Sequence, residues 1–317
     1  MVLVENASGA VNSVLRSFGF VKGDKVLRLS TAYSMVTETL NWLEKTLGIE
    51  QVVVNVDFPY VNDEQILHSI SDAMKSNPAI KLCVYSHITS VPTIILPVKD
   101  MTEIIKTVSK DIVVLIDGAH APGVISIDVS NIGCDYYTGN LHKWMYAPKG
   151  CAFLWSLSER QKYECVQPNV ISSRGMNDYV DRFAYTGTRD YTAFASIVAA
   201  FEYCRSIGGF EHIYQYNHNL VIQGARICCE TWGTELLAAS PDSYTYMCDV
   251  ILPINEKDAL WKLHNELKDS HGIFLVCSQQ KLASGKTVGF CRLSAQIYLD
   301  INDFQILAEK VKSLTTA

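Results

Sequence analysis

Three things are scarce in this chain of 317 residues: an excess of positive charge, long apolar runs, and cysteines at metal-binding spacing. Lysine and arginine total 27 against 33 aspartates and glutamates, a formal net charge of −6. That sign gives no electrostatic basis for binding nucleic acid, and the mild acidity serves solubility. No apolar stretch approaches the roughly 20 residues a membrane helix needs. The opening "MVLVENASGA" lacks the basic start and long apolar segment of a secretory leader. The expectation is a soluble cytoplasmic protein with no membrane partner. Ten cysteines are present, but no pair has zinc-knuckle spacing. Cys83, Cys151 and Cys248 lie inside apolar runs, where a reduced thiol packs as a small hydrophobe. Reduced cysteines and no metal are expected. Repeats and low-complexity tracts are missing too. After the first strand, "RLSTAYSM" stands where a nicotinamide-binding fold needs G-x-G-x-x-G, which argues against that reading.

What is present is apolar content of 48% against 19% charged residues, ample for one large domain and a smaller one. Short β-branched runs fall at 25–30, 51–56, 80–86, 112–117, 134–139 and 150–156. Helical periodicity falls between the first four, at 34–47, 63–75 and 100–109. That alternation predicts an α/β domain with a mostly parallel sheet covered by helices. From Asp190 to Trp232 the pattern reads as two helices broken at "IGGF". Beyond it, "TYMCDVILPI", a helix over 256–269, "GIFLVC", "GFCRLS" and a helix from Asn302 predict a smaller α+β lobe. The expected domains are 1–232 and 233–317.

In open α/β sheets, ligands bind beyond the carboxyl ends of the strands. Tyr33, Ser86 to Ser90, Asp117 and Thr138 to Lys143 all fall on that edge. A lysine amine forms a Schiff base with a carbonyl cofactor when its neighbours lower its pKa. Lys143 has Trp144 and Met145 beside it and His142 as a nearby charge; the alternative is a surface lysine. Asp117 suits the protonated nitrogen of a heteroaromatic ring, and equally a helix N-cap. A metal site there would have only His120 as a second ligand. "NASGAVNSVL" at 6–15 reads as a turn entering a helix, a place for phosphate or simply a capped end with Ser8 as the cap. "YTGTRD" at 185–190 has the same character. Arg292, in "GFCRLSAQIY", suits a carboxylate or a strand-face ion pair.

Taken together, "DGAHAPG", "DYYTGNLHKWMYAPKGCAFLW", "AYTGTRDYTA" and "CRLSAQIY" resemble the class V aminotransferase family of fold-type I enzymes that use pyridoxal 5′-phosphate. The nearest branch holds isopenicillin-N-epimerase-like proteins and cysteine C–S lyases. The resemblance implies that Lys143 carries the cofactor and moves the substrate's Cα proton. It implies that Asp117 pairs with the pyridine nitrogen and His120 faces the phenolic oxygen. Tyr33 would stack on the ring, and Ser90 would stand where related enzymes have Asn. Ala7, Ser8, Thr138, Asn140 and His142 would bind the phosphate. Thr188 would reach the cofactor of a partner in a homodimer, and Arg292 would hold the substrate carboxylate. The implied activity is C–S lyase, desulfhydrase-type β-elimination or epimerisation of an amino acid. The family has a longer segment before the "NAS" turn, so a catalytically impaired dimeric binding protein is the alternative expectation. Cys277, closing "GIFLVC", is expected to be a core thiol rather than a persulfide acceptor.

Overall fold

A computed structural model describes residues 1–315. Packing divides them into two units, one of Met1–Asn55, Asp63–Thr89 and Leu96–Ser206, the other of Val56–Asn62, Ser90–Ile95 and the chain from Ile207 onward. The division comes at 206/207, ahead of the 232/233 boundary expected from sequence. The reason is the Gly209–Trp232 helix, which packs on elements of the second unit.

The first unit is built on a seven-stranded sheet of β1 (Val2–Val4), β2 (Lys25–Leu29), β3 (Glu50–Val54), β4 (Ile80–Ser86), β5 (Val113–Asp117), β6 (Tyr136–Asn140) and β7 (Ala152–Ser156). The spatial order is β1-β7-β6-β5-β4-β2-β3. Strands β3, β2, β4, β5 and β6 are mutually parallel, while β7 and β1 run antiparallel at one edge. All six sequence-predicted strands are present. β1 was not foreseen, since three residues are too few for a period-2 pattern. The Ala7–Ser17 helix packs Ala10, Val11, Val14 and Leu15 into the same core as Val84, Leu115 and Leu154. Its cap is Asn6, whose Oδ1 accepts the Gly9 N–H at 2.7 Å, so the cap expected at Ser8 lies two residues earlier.

The second unit holds β8 (Met247–Ile251), β9 (Val276–Lys281) and β10 (Thr287–Ser294) in the antiparallel order β8-β10-β9. The expected strand "GIFLVC" is displaced: the ladder begins at Val276 and runs through "VCSQQK". An edge strand facing solvent tolerates such polar residues, so apolar content misplaced it. The Gly209–Trp232 helix meets the Ile301–Thr315 helix at Gly224, where a Cβ would lie 2.4 Å from the Phe304 ring. Trp232 Nε1 donates to the Ala308 carbonyl at 2.9 Å across the same contact.

Among the described residues no helix is long and apolar enough to cross a membrane, and no group of three or more His, Cys, Asp or Glu could hold a metal ion. All ten cysteines are free thiols.

One buried charge ties the first unit together. Asp135, just before β6, accepts Lys106 Nζ at 2.6 Å and the Val114 N–H at 2.7 Å on one oxygen, and Arg160 Nε at 2.8 Å on the other. Removing that carboxylate strands two half-buried cations and a strand N–H. Asp135→Ala is expected to lower the unfolding free energy by about 2–4 kcal/mol in a urea titration; a loss below about 1 kcal/mol would show that the cluster is solvated rather than structural.

Candidate active site

The carboxyl ends of β4, β5 and β6 carry the chemistry of the first unit. Register places Ser86, Asp117 and Thr138 side by side across the three strands. Asp117 is buried, and its Oδ1 accepts the N–H of Ala119 at 3.0 Å. Burial pushes its carboxyl above the usual range; the Ala119 N–H and the charge of a protonated Lys143 pull it back. An ionised carboxylate so placed calls for a cationic partner.

Beyond β5 the chain turns through residues 118–124 and packs on the end of β6. Gly118 sits under the Tyr137 ring, where a Cβ would come within 2.4 Å. Gly123, at φ +82°, lies against the Trp144 carbonyl, which a Cβ would approach to 2.5 Å. Gly139 would place a Cβ 2.5 Å from Pro122. A side chain at Gly123 would push the loop off the short Leu141–Trp144 helix, and one at Gly118 or Gly139 would displace the side chains packed there. With the loop seated, His120 Nε2 lies 2.8 Å from Lys143 Nζ. The Trp144 indole N–H donates to His120 Nδ1 at 3.3 Å. An Nδ1 that accepts leaves the hydrogen of the neutral ring on Nε2, directed at Nζ.

His142 faces away from this pair. Its Nδ1 lies 2.7 Å from the Cys151 carbonyl and 3.2 Å from the Cys151 backbone nitrogen, so the ring is held by that residue's backbone. Burial lowers its pKa, the Cys151 carbonyl raises it, and the Lys143 charge lowers it again. Asn140 Oδ1 accepts the Ala7 N–H at 2.8 Å, tying β6 to the entrance of the Ala7–Ser17 helix.

That contact corrects part of the expected phosphate cradle. Of the first helical N–H groups, those of Ala7 and Gly9 are spent on asparagine side chains. Thr138 is fully buried and donates its hydroxyl to the Phe153 carbonyl at 2.7 Å, so it turns into the sheet and not toward a ligand. Ser8, half-buried, together with the Asn140 amide and His142 Nε2, is left to meet an anion. Tyr33 is 48% exposed at the start of the Ser34–Leu47 helix. Thr188 is exposed, 3.3 Å from the Tyr185 hydroxyl. Arg189 pairs with Glu5 and lies over the rings of Tyr191 and Phe194; Arg174 is exposed near Asp181.

Two further residues shape the site without having been singled out in the sequence. Trp144 sets the His120 tautomer, a role that adjacency to Lys143 does not reveal. His87, the residue after β4, gives its backbone N–H to the Asp117 carbonyl at 2.9 Å, and its Nδ1 shares a hydrogen bond with the Tyr137 hydroxyl at 2.8 Å. Burial lowers its pKa to about 4, so it stays neutral beside Asp117. The strand-end rule that marked 86–90 covers His87, but says nothing of its direction.

Arg292 and Ser90 belong to the second unit. Arg292 Nη1 donates to both the carbonyl and the hydroxyl of Ser90, each at 3.1 Å, and its Nε is buried without a partner. Ser90 thus supports a guanidinium. Cys277 is half-buried on β9, and burial pushes its thiol up to about 12, which leaves almost no thiolate at neutral pH.

A raised buried carboxyl, an amine hydrogen-bonded to a neutral imidazole, and anion-ready groups at a helix entrance fit a phosphorylated pyridine aldehyde: acid for the ring nitrogen, amine for the aldehyde, donors for the phosphate. The comparisons agree. A chain of Oryza sativa subsp. japonica, provisionally named L-cysteine desulfhydrase 1, is 30% identical over 98% of this chain and 70% of its own. An L-cysteine desulfhydrase of Arabidopsis thaliana is 27% identical over 98% of this chain and 74% of its own. Among solved structures, a C-DES variant with glycine covalently linked to its PLP cofactor shares the fold at a TM-score of 0.76 and 18% identity, covering 98% of this chain and 80% of that one. The model of the aminotransferase class-V family matches residues 1–307, and the chain belongs to that family.

Proposed function

We propose that this protein is a pyridoxal 5′-phosphate enzyme that eliminates sulfide from L-cysteine or a close thiol-bearing relative. The observation that carries the reading is the Lys143–His120 pair set beside the buried Asp117 on adjoining strand ends. Bound there, the cofactor supplies an aldehyde that condenses with amines and a ring that accepts electron density from the substrate's Cα. Asp117 holds the proton on the ring nitrogen, and that cation in turn offsets the cost of its buried charge. Lys143 would hold the cofactor's aldehyde carbon, and its amine would move the substrate's Cα proton. His120 orients Nζ through Nε2. Ser8, Asn140 and His142 Nε2 bind the phosphate, and the half-exposed Tyr33 covers the ring. Arg292 holds the substrate carboxylate.

With L-cysteine, loss of the Cα proton and of sulfide from Cβ leaves an enamine that takes up water. The balance is cysteine plus water to pyruvate, ammonia and hydrogen sulfide. The desulfhydrase names of the relatives support elimination over epimerisation. The raised pKa of Cys277 speaks against a persulfide route. Ten free thiols support a reducing compartment, read here as the cytoplasm. The exposed Thr188 supports a homodimer in which it reaches the partner's cofactor.

Three measurements follow. After incubation with the cofactor and desalting, the wild type is expected to keep its visible absorption band, with borohydride leaving the cofactor's mass on the peptide holding Lys143. Lys143→Ala should lose both; a variant that keeps the covalent mass would place the attachment elsewhere. Loaded protein given L-cysteine should release sulfide, pyruvate and ammonia in equal amounts, with kcat lowered about 100- to 1,000-fold by Asp117→Asn. Alanine and a persulfide as products would defeat the elimination reading. Light scattering should give twice the chain mass of 35.4 kDa, and a monomer that turns over would remove Thr188 from the site.

A further inference from the structure

The second unit holds a buried acid that the mechanism does not use. Asp249, in the middle of β8, is fully buried, and it is the direct cross-strand neighbour of Arg292 on β10. Its Oδ2 accepts the backbone N–H of Thr93 at 2.5 Å, while Oδ1 is buried with no partner. Arg292 is anchored by Ser90 through Nη1, and its Nε is likewise buried without a partner. Among the described residues no ion pair joins Arg292 to any carboxylate. An acid and a guanidinium in register, each with an unsatisfied polar atom, form an interrupted pair. Leaving such atoms unpaired is costly, and a charged ligand at the guanidinium relieves that cost in part.

Resting on the reading of Arg292 as the carboxylate-binding residue, we propose that Asp249 is the positioning residue that governs it. Neutral, Asp249 leaves the guanidinium open to a carboxylate ligand; ionised, it takes the guanidinium for itself. Ligand binding is therefore tied to a proton held by Asp249.

The surroundings favour such a switch. Burial raises the Asp249 carboxyl to about 8, against the opposing pull of the Thr93 N–H and the Arg292 charge. With Oδ2 already accepting a hydrogen bond, the proton belongs on Oδ1. The other titratable groups within electrostatic reach of it are Cys248 on its own strand and Cys291 on β10, both on the opposite face, and Tyr244 before β8. Burial pushes all three well up, and Cys228, behind the two thiols, up to about 12. Near neutrality Asp249 alone changes charge there. A raised acid is protonated below its folded pKa and ionised above it. Affinity for a carboxylate should therefore be full at pH 7 and fall by up to about tenfold for each pH unit above 8, the slope of one linked proton.

Propionate, whose carboxylate is its one titratable group, serves as the probe. The full chain, loaded with cofactor, is titrated by calorimetry between pH 6.5 and 9.5 in buffers of different ionisation enthalpy. The expected result for the wild type is about fivefold weaker binding at pH 9 than at pH 8, with proton uptake on binding near pH 8. Asp249→Asn should bind within about twofold of the same affinity across the range and take up no proton. A wild-type affinity independent of pH overturns the proposal, as does an unchanged profile in Asp249→Asn. Should that variant not fold, proton uptake by the wild type decides alone. Arg292→Gln separates the two claims. If it abolishes propionate binding while Asp249→Asn keeps the wild-type profile, the carboxylate role of Arg292 stands and the switch falls. If it leaves binding intact, the carboxylate role itself falls.

Discussion

The hydrogen bond between His120 and Lys143 depends on three places where there is no room for a Cβ. Gly118 under Tyr137, Gly123 against the Trp144 carbonyl and Gly139 beside Pro122 let the 118–124 loop lie directly on the Leu141–Trp144 helix. A methyl at any of them would collide with a neighbour, and at Gly123 that neighbour is the Trp144 carbonyl of the helix that carries Lys143. Strand register does the rest. Because β5 and β6 pair with Asp117 opposite Thr138, the loop and helix that follow leave the sheet at the same level. One acid and one base meet a common ligand through backbone geometry, before any side-chain preference acts.

Burial is then used twice in the same sense. Asp117 in the first unit and Asp249 in the second are both taken out of water, and both are pushed toward the neutral acid. For Asp117 the partner in the proposed reading is a ring cation brought by the cofactor. For Asp249 it is a guanidinium already in place and committed elsewhere. Each carboxyl is held at a tension that ligand binding resolves, and neither would serve if it were exposed. The Asp135 cluster is the contrasting case: two cations and a strand N–H complete it within the chain, so it stabilises the sheet and offers nothing to a ligand.

Much of this architecture was legible in the sequence. The six apolar runs, the helices between them and the break at "IGGF" follow from periodicity, which reports burial directly. β1 and β9 were missed or displaced because one is too short to show a period and the other is a polar edge. At the site, strand-end logic located Asp117 and Lys143 together. It could not say how hydrogen bonds are spent. Ala7 and Thr138 sit at the expected places, yet their donors serve Asn140 and Phe153. Trp144 and Asp249 were passed over for a related reason: in sequence they are an aromatic beside a lysine and an acid within "MCDVI". Only cross-strand register and ring direction reveal what they touch.

The measurement that bears most directly on the central claim is the 15N resonance of the ring nitrogen in labelled pyridoxal 5′-phosphate bound to the wild-type chain. Asp117 as the partner of that nitrogen requires a protonated ring through neutral pH. A resonance typical of an unprotonated pyridine would contradict the account, because the buried carboxylate would then face no cation.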